Sequence, residues 1–170
     1  MNYEYYLEKF QKSADRLDKK MLTKKHMEIH VGITLESVVL KLYKRSWTND
    51  KMNPLNARTR IFFAIWTNDK TLRQNKIFYN IHALKLRDFK GYSITSKGFA
   101  NSFREDFLIF EQDWKNVSTK YGPLTLMEGW EHFENATLED IVLKLANKFL
   151  SIEHLIDNTL EKYQSTNINS

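Results

Sequence analysis

Residues 2–20, NYEYYLEKFQKSADRLDKK, set Tyr3, Tyr6, Leu7, Phe10, Ala14 and Leu17 at three- and four-residue spacing. That period predicts a helix over 1–20 with one apolar and one charged face. The period then changes. His26, Glu28 and His30 alternate with Met27, Ile29 and Val31, which is the pattern of a short strand ending near Gly32. TLESVVLKLYKRSW supports either period, and its paired valines favour a strand from about Ser37. WTNDKMNPLNARTR reads as a loop, and RTRIFFAIW, aromatic and β-branched between turn residues, as the clearest strand of the chain. Trp-Thr-Asn-Asp occurs at 47–50 and again at 66–69, as if one strand-to-turn solution were used twice. KIFYNIHALKLRDF predicts a strand from Lys76 to about Arg87, and YSIT a short edge strand. Residues 26–95 are therefore mainly strands.

From Ser96 the helical period returns. Phe99, Ala100, Phe103, Phe107 and Phe110 share a face, predicting a helix over 96–114 that opens on a Ser96 cap. NVSTKYGPLTLMEGW, with Gly122, Pro123 and Gly129, reads as loop or hairpin. A last helix over 137–162 opens at Thr137, with Asp140 three residues on as in a capping box. Ile141, Leu145, Phe149, Ile152, Leu155, Ile156 and Leu160 line it, and fraying is expected in the final residues STNINS. The expectation is a single α+β domain over 1–170. An antiparallel sheet of three to five strands is packed by an N-terminal helix and two C-terminal helices.

Charge sharpens this picture. The formal net charge is only +5, but residues 41–104 carry fourteen Lys/Arg against three Asp/Glu, while 105–170 carry five against twelve. A basic middle attracts polyanions; alternatively, the acidic C-terminal third covers it, within the chain or across a dimer. Lys41, Lys44, Arg45, Arg58, Arg60, Lys85 and Arg87 fall in or beside expected strands, and Lys97 sits at a helix start where a phosphate could bind. Alternation puts Arg58 and Arg60 with Phe62 and Trp66, and Lys85 and Arg87 with Tyr79 and Ile81. Bases stack on aromatic rings while cations meet phosphates, so this mixture suits single-stranded nucleic acid. The plain alternative is solvated strand ends with snorkelling tips.

Other chemistry is thinner. His30 and His82, with a nearby cation, are the candidate acid and base of a metal-independent ribonuclease, provided their rings converge. His26, Glu28 and His30 share a strand face that a divalent ion could use only with further ligands such as Glu131 or His132, so no metal is expected. No cysteine is present, which excludes disulfides, thiolate metal sites and thiol nucleophiles. The five glycines form no phosphate-binding or dinucleotide fingerprint, and no cofactor is expected. Trp114, Tyr121 and Trp130 bracket the Gly/Pro loop as walls of a possible aromatic pocket or subunit interface. The apolar stripe of the last helix is a natural dimer surface. The first twenty residues are too charged for a signal peptide, and no apolar run approaches the roughly 20 residues that cross a bilayer. The expectation is a cytoplasmic, non-enzymatic module that associates with RNA or DNA as a dimer and uses no membrane. A structural or adaptor oligomer is the alternative, and the ribonuclease the third reading.

Overall fold

In a computed structural model, which describes residues 1–165, five strands form one antiparallel sheet whose spatial order is the sequence order. They are β1 (Glu28–Thr34), β2 (Ser37–Tyr43), β3 (Arg60–Thr67), β4 (Lys76–Leu84) and β5 (Thr125–His132). The helices are α1 (Tyr3–Asp15), α2 (Lys19–Lys24), α3 (Asp69–Arg73), α4 (Ser96–Phe107), α5 (Leu138–Ile152) and α6 (His154–Lys162). The fold is α+β, with the N-terminal helix and the C-terminal helices packed on the sheet. The fraying expected at the C-terminus lies, beyond Ser165, outside the described residues.

Alternation assigns the two faces of the sheet. Val38, Leu40 and Leu42 of β2, Ile61, Phe63 and Ile65 of β3, and Ile77, Tyr79 and Ile81 of β4 are fully or almost fully buried on one face. The helices α1, α4, α5 and α6 cover that face, and their own apolar stripes join the same core. Its centre is aromatic. Phe149 of α5 stacks on Phe63 at 4.7 Å, while Trp114 lies 5.0 Å from Phe149 and 5.2 Å from Tyr79. Such pairs add about 0.5–1.5 kcal/mol each beyond the area they bury. The stripe of the last helices is therefore spent inside the chain, which removes the reason for reading it as a dimer surface.

Several local expectations change. Two helices, not one, span the first 24 residues, with Asp18 capping α2 through Lys20 and Met21. The final helix is divided at Glu153, whose backbone stays helical while the Ile156 N–H donates to its carbonyl three residues back. Thr137 does not cap α5; its hydroxyl closes a tight turn onto the backbone of Glu134. Thr95, not Ser96, caps α4 by accepting from the Gly98 N–H. Tyr92 makes one bridge to Gln164 in place of an edge strand. The repeated tetrapeptide has two fates: Trp47 is buried in a short 3-10 turn, whereas Trp66 and Thr67 close β3 and Asn68 caps α3.

The segment expected as loop or hairpin contains the fifth strand, to which Ser118 adds one antiparallel bridge at Glu128. Gly129 sits inside β5 directly opposite Tyr79, and a Cβ there would lie 2.2 Å from the tyrosine oxygen. The glycine makes room for a ring, which is a packing role and not a turn.

Candidate binding groove on the open sheet face

The four longer helices leave the second face of the sheet uncovered. Residues directly opposite on neighbouring strands share a face, so the register spells out its rows. One row runs Val39, Trp66, Phe78, Trp130; the next runs His30, Lys41, Ala64, Asn80, Glu128; a third brings Phe62 beside His82. Ala64 is the low point, a methyl between the rings of Phe62 and Trp66 two residues away on either side. The result is a groove of about 460 Å³, lined among others by Lys41, Arg60, Phe62, Trp66, Asn80 and Glu128. Its lip is the β1–β2 turn. There Leu35 and Glu36 both hold left-handed backbone (φ 47° and 61°), and Leu35 is 92% exposed.

The groove concentrates positive charge. Lys41 Nζ lies 5.0 Å from the centre of the Phe62 ring, and the Arg60 guanidinium 5.6 Å from it. Among the described residues neither cation has a carboxylate within ion-pair distance. Arg60 donates to the Ala57 carbonyl, but its Nε is buried without a partner. Burial, and then Arg60, hold Lys41 below the usual lysine range; burial alone lowers Arg60. Two desolvated cations beside one ring, with no counter-charge bound to them, favour any anion that enters.

His82 lies 5.3 Å from Phe62, centre to centre. Burial first, then Lys41 and Arg60, depress its pKa below 6.5 despite a backbone hydrogen bond that works the other way. A depressed folded-state value means that the unfolded chain takes up the proton first. Stability is therefore full above the unfolded value near 6.5 and falls as pH drops from there toward the folded value. Urea melts at pH 7.5 and 5.5 are expected to show a larger acid loss for the native chain than for His82→Gln. Equal losses would remove His82 as a source of acid sensitivity.

A second groove of about 600 Å³ continues from the first through Arg60 and Leu84, and Arg58, Lys85 and Arg87 line it. Arg58 contacts Asp88 at 3.4 Å across an exposed surface, a pair worth little. Lys85 and Arg87 reach this side, not the face of Tyr79 and Ile81 expected from alternation. β4 ends at Leu84, and the left-handed Lys85 (φ 54°) resets the alternation beyond it.

The remaining expected site residues lie elsewhere. Lys44 faces the helices and is buried between Glu153, at 2.7 Å, and Asp157, at 2.6 Å. This is where the acidic C-terminal third meets the basic middle. Arg45 is paired with Glu28 at 2.6 Å. Lys97 is exposed on α4 and lines neither groove. His30 is on the open face, but three strand intervals, roughly 14 Å at about 4.8 Å each, separate its strand from that of His82. Two rings so placed do not serve one phosphate.

No aromatic pocket forms from Trp114, Tyr121 and Trp130. Trp114 is buried in the core on the helix side, Tyr121 is exposed, and Trp130 is on the open face with Lys76 Nζ 3.9 Å from its ring centre. Among the described residues no group of three ligating side chains converges on a metal position. None of their helices is long and apolar enough to cross a membrane.

Sequence reasoning missed Asn80 and Glu128. The signal was the alternation in β4, where Phe78, Asn80 and His82 interrupt Ile77, Tyr79, Ile81 and Ala83. No protein-family model matches this chain, and no curated protein or solved structure does so either.

Proposed function

We propose that the chain is a non-enzymatic binding module for single-stranded nucleic acid, acting in the cytoplasm through the open face of its sheet. The observation that carries this reading is the pair Lys41 and Arg60, half-buried around Phe62 with no carboxylate bound to either among the described residues. Phosphates supply the missing negative charge. The row Trp66, Phe78 and Trp130 offers flat surfaces to bases, and Arg58, Lys85 and Arg87 extend the positive path along the second groove. Separation of the two histidines argues against the ribonuclease. Among the described residues Lys44 is the one candidate cation that the acidic third captures within the chain, which argues against neutralisation inside one chain as the basis of the adaptor reading.

The test is fluorescence anisotropy of labelled single-stranded RNA, single-stranded DNA and duplex DNA across a salt series. Micromolar binding is expected for the single strands, weakening steeply with salt. Lys41→Gln and Arg60→Gln should each weaken it about tenfold and each reduce the salt slope by about one. Lys20→Gln, exposed on α2 away from the groove, should change little. Absence of single-strand binding even at low salt would overturn the proposal.

A further inference from the structure

One acceptor in the groove is both buried and, among the described residues, unsatisfied. Asn80 is 3% exposed, and no described residue donates a hydrogen bond to its Oδ1. Its Nδ2 donates to Glu128 Oε2 at 3.2 Å. A carboxylate only accepts, so the amide cannot be turned over, and Oδ1 remains an acceptor without a donor. Burying such an atom unpaired is unfavourable, and a bound donor relieves it. The second oxygen of Glu128 also makes no hydrogen bond among the described residues. Two acceptors from neighbouring strands therefore stand side by side at the end of the row that runs from His30 through Lys41 and the low point at Ala64.

We infer that this groove reads a nucleobase presenting two adjacent N–H donors, as guanine does on its Watson–Crick edge; the inference rests on the nucleic-acid reading above. Guanine offers N1–H and the N2 amino group to the amide oxygen and carboxylate, while its O6 needs a donor, which Lys41 in the same row can provide. Adenine and cytosine each pair one amino donor with a ring acceptor that the carboxylate repels. Uracil has a single N–H between two acceptors. Trp66 and Phe62 give the ring apolar walls, and Arg60 stands near enough to Phe62 to meet an adjoining phosphate. Asn80 Oδ1 is shut off from water by its neighbours, so the base must displace a side chain. Lys41, which holds no hydrogen bond or ion pair among the described residues, is free to yield.

The experiment uses labelled decamers of uridine carrying G, A, C or U at the centre, at one moderate salt concentration. The G decamer is expected to bind about tenfold tighter than the others. Asn80→Ala and Glu128→Gln should each level the four affinities while leaving salt-dependent binding of the all-uridine decamer. Thermal melting of both variants reports whether they fold. In parallel, quenching of tryptophan fluorescence by GMP, AMP, CMP and UMP reads base choice without a strand. Equal binding of all decamers overturns the base preference and leaves the nucleic-acid reading standing. GMP-selective quenching with no decamer bound overturns the nucleic-acid reading and keeps the guanine site. Neither response overturns both. A preference for G that survives in folded Asn80→Ala and Glu128→Gln also overturns this assignment.

Discussion

Replacing Lys44 with alanine is expected to lower the unfolding free energy by about 3–5 kcal/mol, the usual cost of orphaning a buried charge. Lys44 Nζ lies between Glu153 and Asp157, whose other oxygens take Lys25 at 3.3 Å and the Trp47 indole N–H at 2.8 Å. Burial pulls the lysine pKa down, but hydrogen bonds to Asp157 and Glu153 outweigh it and leave it above the ordinary range. Removing the ammonium leaves two carboxylates facing each other, and Glu153 is only 6% exposed. Lys25 is half-exposed and reaches only Glu153, at 3.3 Å, so it does not replace the ammonium that Asp157 loses. Urea unfolding followed by circular dichroism measures the effect. The triple variant Lys44→Met, Glu153→Gln, Asp157→Asn should recover most of the loss, because it removes the charges along with the pairing. A loss below about 1 kcal/mol for Lys44→Ala would show the cluster to be solvated like a surface pair.

Gly129→Ala is the second large effect. The new methyl would lie 2.2 Å from the Tyr79 oxygen and 2.5 Å from its Cζ. The tyrosine cannot swing away, since its ring is fully buried against Trp114 and Phe149 and its hydroxyl donates to the Lys115 carbonyl at 2.5 Å. Overpacking of this kind costs about 1–3 kcal/mol and sometimes more. The upper end applies here because both elements are fixed by sheet pairing. At about 2–4 °C per kcal/mol for a domain of this size, Tm should fall by about 6–12 °C. Tyr79→Phe removes the nearest atom, so the double variant should be clearly more stable than the sum of the two single losses predicts. Strict additivity in calorimetry would show that the strand shifts to accept the methyl and that the close approach is not what selects glycine.

That glycine also shows where sequence reading stopped. Alternation and period located β2, β3, β4 and the start of α4 to within a few residues, because apolar spacing reports which face of an element is buried; α4 stops at Phe107, short of the 114 expected. The same spacing left β5 open between loop and hairpin, because Gly129 follows Gly122 and Pro123 and has the look of another turn. Only the ring of Tyr79, fifty residues earlier, explains it. The open face of the sheet was legible in part. Arg60 was expected with Phe62 and Trp66, and these three do share the groove. Lys44 was drawn into the same set although the alternation of β2, which it directly follows, points it at the helices, where Glu153 and Asp157 wait. The partners of a charge come from distant chain segments, and composition cannot rank them. Asn80 was invisible for the same reason: an amide inside a strand becomes informative only once its unpaired oxygen can be seen.

The strand order, each neighbour following its predecessor in sequence, has a consequence for synthesis. The sheet can pair strand by strand as the chain leaves the ribosome, since no strand waits for a distant partner. Its helix-facing side stays bare for longer. Ile61, Phe63, Ile77, Tyr79 and Ile81 are complete by residue 84, but α5 and α6, which cover them, begin only at residue 138. Closure also joins the two ends of the chain, with Lys9 to Glu139 at 2.9 Å and Arg16 to Asp140 at 2.8 Å fastening α1 to the start of α5. A ribosome-bound chain halted before residue 138 thus presents a paired sheet with one sticky side, a natural client for a chaperone. The groove on the opposite side is complete as soon as β5 has paired.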